Sequence, residues 1–101
     1  SPRPSSTMAP LEVLVVDDEP DICELLSWAL RDHRVTVAFS GKEALARLDE
    51  RPWDVIVCDL MMREVSGVDV YQAVRARDPA LARRVVFMTG GAFTEEVRTF
   101  L

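Results

Sequence analysis

From Leu11 onward the chain alternates between short, nearly continuous apolar runs and longer stretches in which apolar residues recur with a helical period. Leu11-Glu12-Val13-Leu14-Val15-Val16, Val35-Thr36-Val37-Ala38, Val55-Ile56-Val57-Cys58 and Val85-Val86-Phe87-Met88 are the short runs. Their β-branched content and lack of polar alternation predict strands buried on both faces of a parallel sheet. Pro20 opens a helix in which Ile22, Leu25, Leu26, Ala29 and Leu30 fall at i, i+3, i+4, i+7 and i+8, making one apolar stripe. Ser40-Gly41-Lys42-Glu43 has the spacing of a capping box and starts a second helix carrying Ala44, Leu45 and Leu48, which Pro52 stops. Ser66-Gly67-Val68-Asp69 repeats that spacing with a shorter acid and opens a third helix, with Val70, Ala73 and Val74 inward and Pro79 closing it. Thr94 to Leu101 is expected to begin a fourth. The order β-α-β-α-β-α-β-α predicts an α/β domain with right-handed crossovers and helices on both faces of the sheet.

Composition narrows the class. The 101 residues are 49% hydrophobic, with 12 Lys and Arg against 17 Asp and Glu, for a net charge of −5. This suits one small globular domain and excludes a disordered chain, and no apolar run approaches the roughly 18 to 20 residues of a membrane helix. The acidic balance argues against direct nucleic-acid binding, which draws its affinity from clustered Lys and Arg. Cys23 and Cys58 show neither metal-site nor disulfide spacing beside the single histidine, His33. They are read as small buried hydrophobes of a reducing, cytoplasmic compartment. Residues 1–10, SPRPSSTMAP, are expected to be a disordered tail or cloning remnant, leaving 11–101 as the domain. His33 is read as a surface turn residue, Trp28 and Trp53 as packing residues, and Arg63 and the arginines from Arg75 to Arg84 as solvated.

The candidate chemistry lies at the strand ends. In an open α/β sheet, ligands sit outside the carboxyl ends of the strands. The first predicted strand ends in Asp17-Asp18-Glu19, the third in Asp59 and the fourth in Thr89-Gly90-Gly91, and Leu11 to Glu24 holds six acids and no base. Taken singly, these acids read as first-turn residues complementing a helix dipole, and Asp59 and Thr89 as turn residues. Converging on one sheet edge, they form a carboxylate site. Two carboxylates 4 Å apart repel by about 4 kcal/mol at an effective dielectric near 20, which a cation or a raised pKa must offset. Magnesium binds such oxygens and bridges to phosphoryl groups, which points to phosphoryl chemistry.

VLVVDDEPDI at Val13 to Ile22, DVIVCDLMM at Asp54 to Met62, SGVD at Ser66 to Asp69 and VVFMTGG at Val85 to Gly91 together resemble the receiver domain of bacterial two-component response regulators. The resemblance implies a flavodoxin-like, doubly wound sheet in the order 2-1-3-4. It also implies that Asp59 accepts a phosphoryl group from a sensor histidine kinase, and that Mg²⁺ is held by Asp18 and Asp59 directly, by Asp17 through water and by the Met61 carbonyl. Thr89 would be the switch hydroxyl. The implied role is a signalling module whose output is a changed surface, not an enzyme turning over a substrate.

Two departures from the family stand out. Arg63 occupies a position that is commonly proline. The chain also ends before the family's fifth strand and helix, so neither the lysine of that strand nor its aromatic switch residue can be assigned, and Lys42 sits on the wrong element. The expectation is therefore a C-terminally truncated receiver that forms a homodimer or segment-exchanged oligomer. The alternative is a phosphorylation-independent, self-associating interaction module. A phosphatase of the haloacid-dehalogenase type, which also uses an aspartate at a strand end, expects an aspartate where Glu19 stands and a lysine that is missing here.

Overall fold

The structure, a computed structural model, describes residues 9–88. Thr89, the helix expected from Thr94 to Leu101 and most of the N-terminal tail lie outside the described residues. Four parallel strands, β1 (Glu12–Val16), β2 (Arg34–Ala38), β3 (Val55–Asp59) and β4 (Val85–Met88), form one sheet in the order β2-β1-β3-β4. The helices are α1 (Pro20–Ala29), α2 (Gly41–Arg47), α3 (Gly67–Arg77) and α4 (Pro79–Ala82).

Residue parity along the strands explains the continuous apolar runs. Leu14, Val16, Ile56 and Cys58 point to one face, where they pack with Ala44 of α2, Val70 and Val74 of α3, and Leu81 of α4. Val13, Val15, Val55 and Val57 point to the other, against Cys23 and Leu26 of α1 and the adjoining Leu30. Both faces of β1 and β3 are thus covered, so neither strand needs polar alternation. Burying each of these side chains contributes about 1.5 to 3 kcal/mol.

Four local expectations are corrected. The inner stripe of α1 runs through Ile22, Cys23, Leu26 and Leu30, while Leu25 (48% exposed) and Ala29 lie on its flank. The helix is turned so that Cys23, not Leu25, meets the sheet. Ser40 Oγ accepts the Glu43 N–H at 3.0 Å, but the Glu43 carboxylate reaches past Ser40 to the Phe39 N–H at 2.8 Å. The reciprocal half of that box is therefore shifted by one residue. Helix α2 ends at Arg47, well before Pro52, where the indole Nε1 of Trp53 donates to the Arg47 carbonyl at 3.0 Å and satisfies a helix-end acceptor. Pro79 does more than close α3. Asp78 Oδ1 accepts the N–H groups of Ala80 and Leu81, both at 3.1 Å, and Pro79 starts the short α4. The Ser66–Asp69 box, in contrast, has both of its bonds.

At the amino end of the sheet, His33 has a structural part that its surface reading lacked. Its Nδ1 accepts the Leu11 N–H at 3.1 Å, holding the approach to β1. Asp54 Oδ2 accepts the Glu12 N–H at 2.8 Å, and Arg34 and Arg51 each lie 3.4 Å from the Glu12 carboxylate.

Candidate functional site

At the opposite, carboxyl end, β1 and β3 deliver the acids. The Asp17 N–H continues the ladder by donating to the Ala38 carbonyl at 3.1 Å, which carries this residue into the protein just beyond β1. Asp17 is fully buried. Its Oδ1 accepts the Glu19 N–H at 2.9 Å, an Asx-type turn that swings the chain into α1, with Pro20 fixing the first helical turn. Oδ2 is buried and, among the described residues, has no hydrogen-bond partner. Burial pushes the Asp17 carboxyl from its ordinary 3.8 up to about 6; the Glu19 N–H opposes the shift, and the charges of Asp59, Asp18 and Glu19 add to it.

Asp18 is half-buried and Glu19 exposed, and carboxylate oxygens of Asp17, Asp18 and Glu19 lie within 4.8 Å of one another. Glu19 belongs to the acid run that ends the first predicted strand, but it stands outside the metal-ligand set that the resemblance implies. Its side chain makes no cap bond to α1, so its carboxylate is available to the cluster. The signal was its place in the unbroken acid run, but spacing does not distinguish a capping acid from a clustered one.

Asp59 is the last residue of β3 and is buried opposite Met88. Its Oδ1 accepts the Met61 N–H at 3.2 Å, and the Leu60 N–H donates to the Met88 carbonyl at 3.0 Å, so the chain leaves the strand under control. Gly67 begins α3 so close to this point that a Cβ there would overlap the Asp59 carbonyl oxygen and lie 2.8 Å from the Leu60 Cα. The structure therefore brings Asp17, Asp18, Asp59 and the Met61 backbone to one edge. The Met61 side chain itself is 76% exposed.

A buried carboxylate oxygen without a donor is costly, and a divalent cation satisfies it with the charge that such a cluster demands. The residues present thus fit Mg²⁺. Both cysteines adjoin the site yet are chemically quiet. Burial first, then the Asp59 and Asp17 charges, push Cys58 up to about 12, and burial does the same to Cys23, up to about 11, so neither thiolate forms near neutral pH. A cavity of about 190 Å³ lined by Trp53, Leu48, Val74, Arg77 and Leu81 lies at the other end of the sheet, away from the acids.

Residues 13–101 match the family described as the response regulator receiver domain. The chain belongs to this family. Among curated relatives, the receiver is 42% identical over 74 residues to the probable transcriptional regulatory protein TcrX of Mycobacterium tuberculosis, covering 71% of this chain and 32% of TcrX. It is 33% identical over 87 residues to the transcriptional regulatory protein ZraR of Salmonella typhimurium, covering 84% of this chain and 19% of ZraR. It therefore spans about a fifth to a third of those relatives. Among solved structures, response regulator TrrA of Thermotoga maritima, in complex with Mg²⁺ and BeF, superposes with a TM-score of 0.74 at 29% identity, covering 90% of this chain and 76% of that one. The N-terminal domain of a response regulator receiver protein from Methanoculleus marisnigri gives 0.71 at 31% identity, covering 89% and 75%. These matches bear out the receiver reading and the strand order 2-1-3-4. Among the described residues, no helix is long and apolar enough to cross a membrane.

Proposed function

We propose that this receiver domain takes a phosphoryl group onto Asp59 from a phosphohistidine of a sensor histidine kinase, with Mg²⁺ held by Asp17, Asp18, Asp59 and the Met61 carbonyl. The observation that carries this reading is the buried Oδ2 of Asp17, unpartnered among the described residues, within a cluster of acids. An Asp59 carboxylate oxygen attacks phosphorus, the bond from phosphorus to the imidazole nitrogen breaks, and an acyl phosphate forms as the histidine, protonated on its other ring nitrogen, leaves as neutral imidazole. The Met61 N–H orients the Asp59 carboxylate, and burial keeps water from it. The bound cation supplies positive charge against the phosphoryl oxygens, which is most of what phosphoryl transfer asks of a protein. Thr89 is the hydroxyl that would follow the phosphoryl group and switch the surface.

A phosphorylation-independent interaction module has no use for a buried carboxylate oxygen that no donor among the described residues reaches, so that reading is not favoured. The test is incubation with Mg²⁺ and acetyl phosphate followed by intact mass. One phosphoryl increment, lost in Asp59→Asn and in EDTA, is the expected result. No increment and no Mg²⁺ binding would overturn the proposal.

A further inference from the structure

The segment 60–66 joins β3 to α3 and carries the Met61 N–H that touches Asp59. Both of its ends are pinned. Leu60 donates to Met88 and accepts the Gly67 N–H at 3.2 Å, and Ser66 is fixed by its capping box with Asp69. Between these anchors the chain turns through Glu64, at φ 64°, and places Val65 against the core shared by α2 and α3.

Val65 rests on the backbone of Gly41, the buried first residue of α2. A Cβ on Gly41 would overlap the Val65 carbonyl oxygen and lie 2.7 Å from both its Cβ and its Cγ1. Gly41 has no left-handed φ to explain a glycine, and the first position of a helix accepts most residues. Close approach is the remaining reason, as in any tight passage of one backbone against another.

We propose that Gly41 is a positioning residue for the phosphoacceptor site. By letting the loop lie directly on α2, it sets where Val65 sits and thereby where Met61 meets Asp59. Because Leu60 and Ser66 are anchored, a methyl group at position 41 that displaces Val65 passes its displacement to 61–64. This inference rests on the proposed chemistry at Asp59 for its consequence, but not for its geometry.

The test compares wild type, Gly41→Ala, Val65→Ala and the control Val68→Ala, which truncates an exposed side chain nearby on α3. In metal-free protein, amide exchange at Met61 is expected to be at least threefold faster in Gly41→Ala and Val65→Ala than in wild type. The Mg²⁺ dissociation constant is expected to rise at least threefold in both, with Val68→Ala unchanged. Met61 exchange and Mg²⁺ affinity within twofold of wild type in the folded variants would overturn the proposal, as would an equal effect of Val68→Ala. If Gly41→Ala does not fold, Val65→Ala decides. If wild type itself binds no Mg²⁺, the functional reading fails, and Met61 exchange still decides the positioning role.

Discussion

Glu64 holds a left-handed backbone that costs an L-residue about 1 to 2 kcal/mol. Glycine carries no such penalty, though it gives back part of the gain through a freer unfolded chain. Glu64→Gly is therefore expected to raise unfolding free energy by about 0.5 to 1 kcal/mol, measured as a higher urea midpoint at unchanged slope. At this scale the sequence was informative where position along a strand decides placement. Asp17, Asp18 and Asp59 follow apolar strand runs, and the edge they share follows from parallel strands. It was uninformative where orientation decides. Nothing in the spacing separates Glu19 as a clustered acid from Glu19 as a helix-terminal one, and nothing in the stripe ranks Cys23 above Leu25, because the roll of α1 on the sheet is a tertiary property.

The elements themselves were legible because their periodicity is strong, while their ends were set by contacts distant in sequence. The stop of α2 is the clearest case. The indole of Trp53, at the entrance to β3, satisfies the Arg47 carbonyl and packs against the core while Arg51 stacks over its ring at 5.3 Å. Trp53→Phe removes the donor and leaves that acceptor poorly served. A loss of about 1 to 2 kcal/mol is expected, with faster amide exchange concentrated in the last turn of α2. In contrast, the box at Ser66 was predictable from four residues because all its partners lie within them.

For the whole molecule, the buried Asp17 makes stability depend on pH and on metal in opposite senses. Its folded pKa of about 6 exceeds the unfolded 3.8, so the folded state binds the proton more tightly. The contribution of Asp17 to metal-free stability therefore falls as pH rises through about 4 to 6 and stays low above. Asp17→Asn removes this dependence. The variant should match wild type below pH 4 and be more stable than it above pH 6 without metal, as read by paired thermal melts across the range. Added Mg²⁺ should reverse the order at pH 7 by stabilising wild type alone, and that gain should fade as the pH drops below about 6.

The strand order has a consequence for synthesis. β1 is made first, yet it lies between β2 and β3, so its second edge stays open until residue 59 has left the ribosome. Until then Val13 to Val16, an apolar segment rich in β-branched residues, has one edge with nothing to pair against, the kind of stretch that seeds aggregation. Glu12 stands before that segment and Asp17-Asp18-Glu19 directly after it. The same acids whose crowding burdens the finished fold thus have the position and charge of gatekeepers, residues that disfavour association of an apolar strand before its sheet closes.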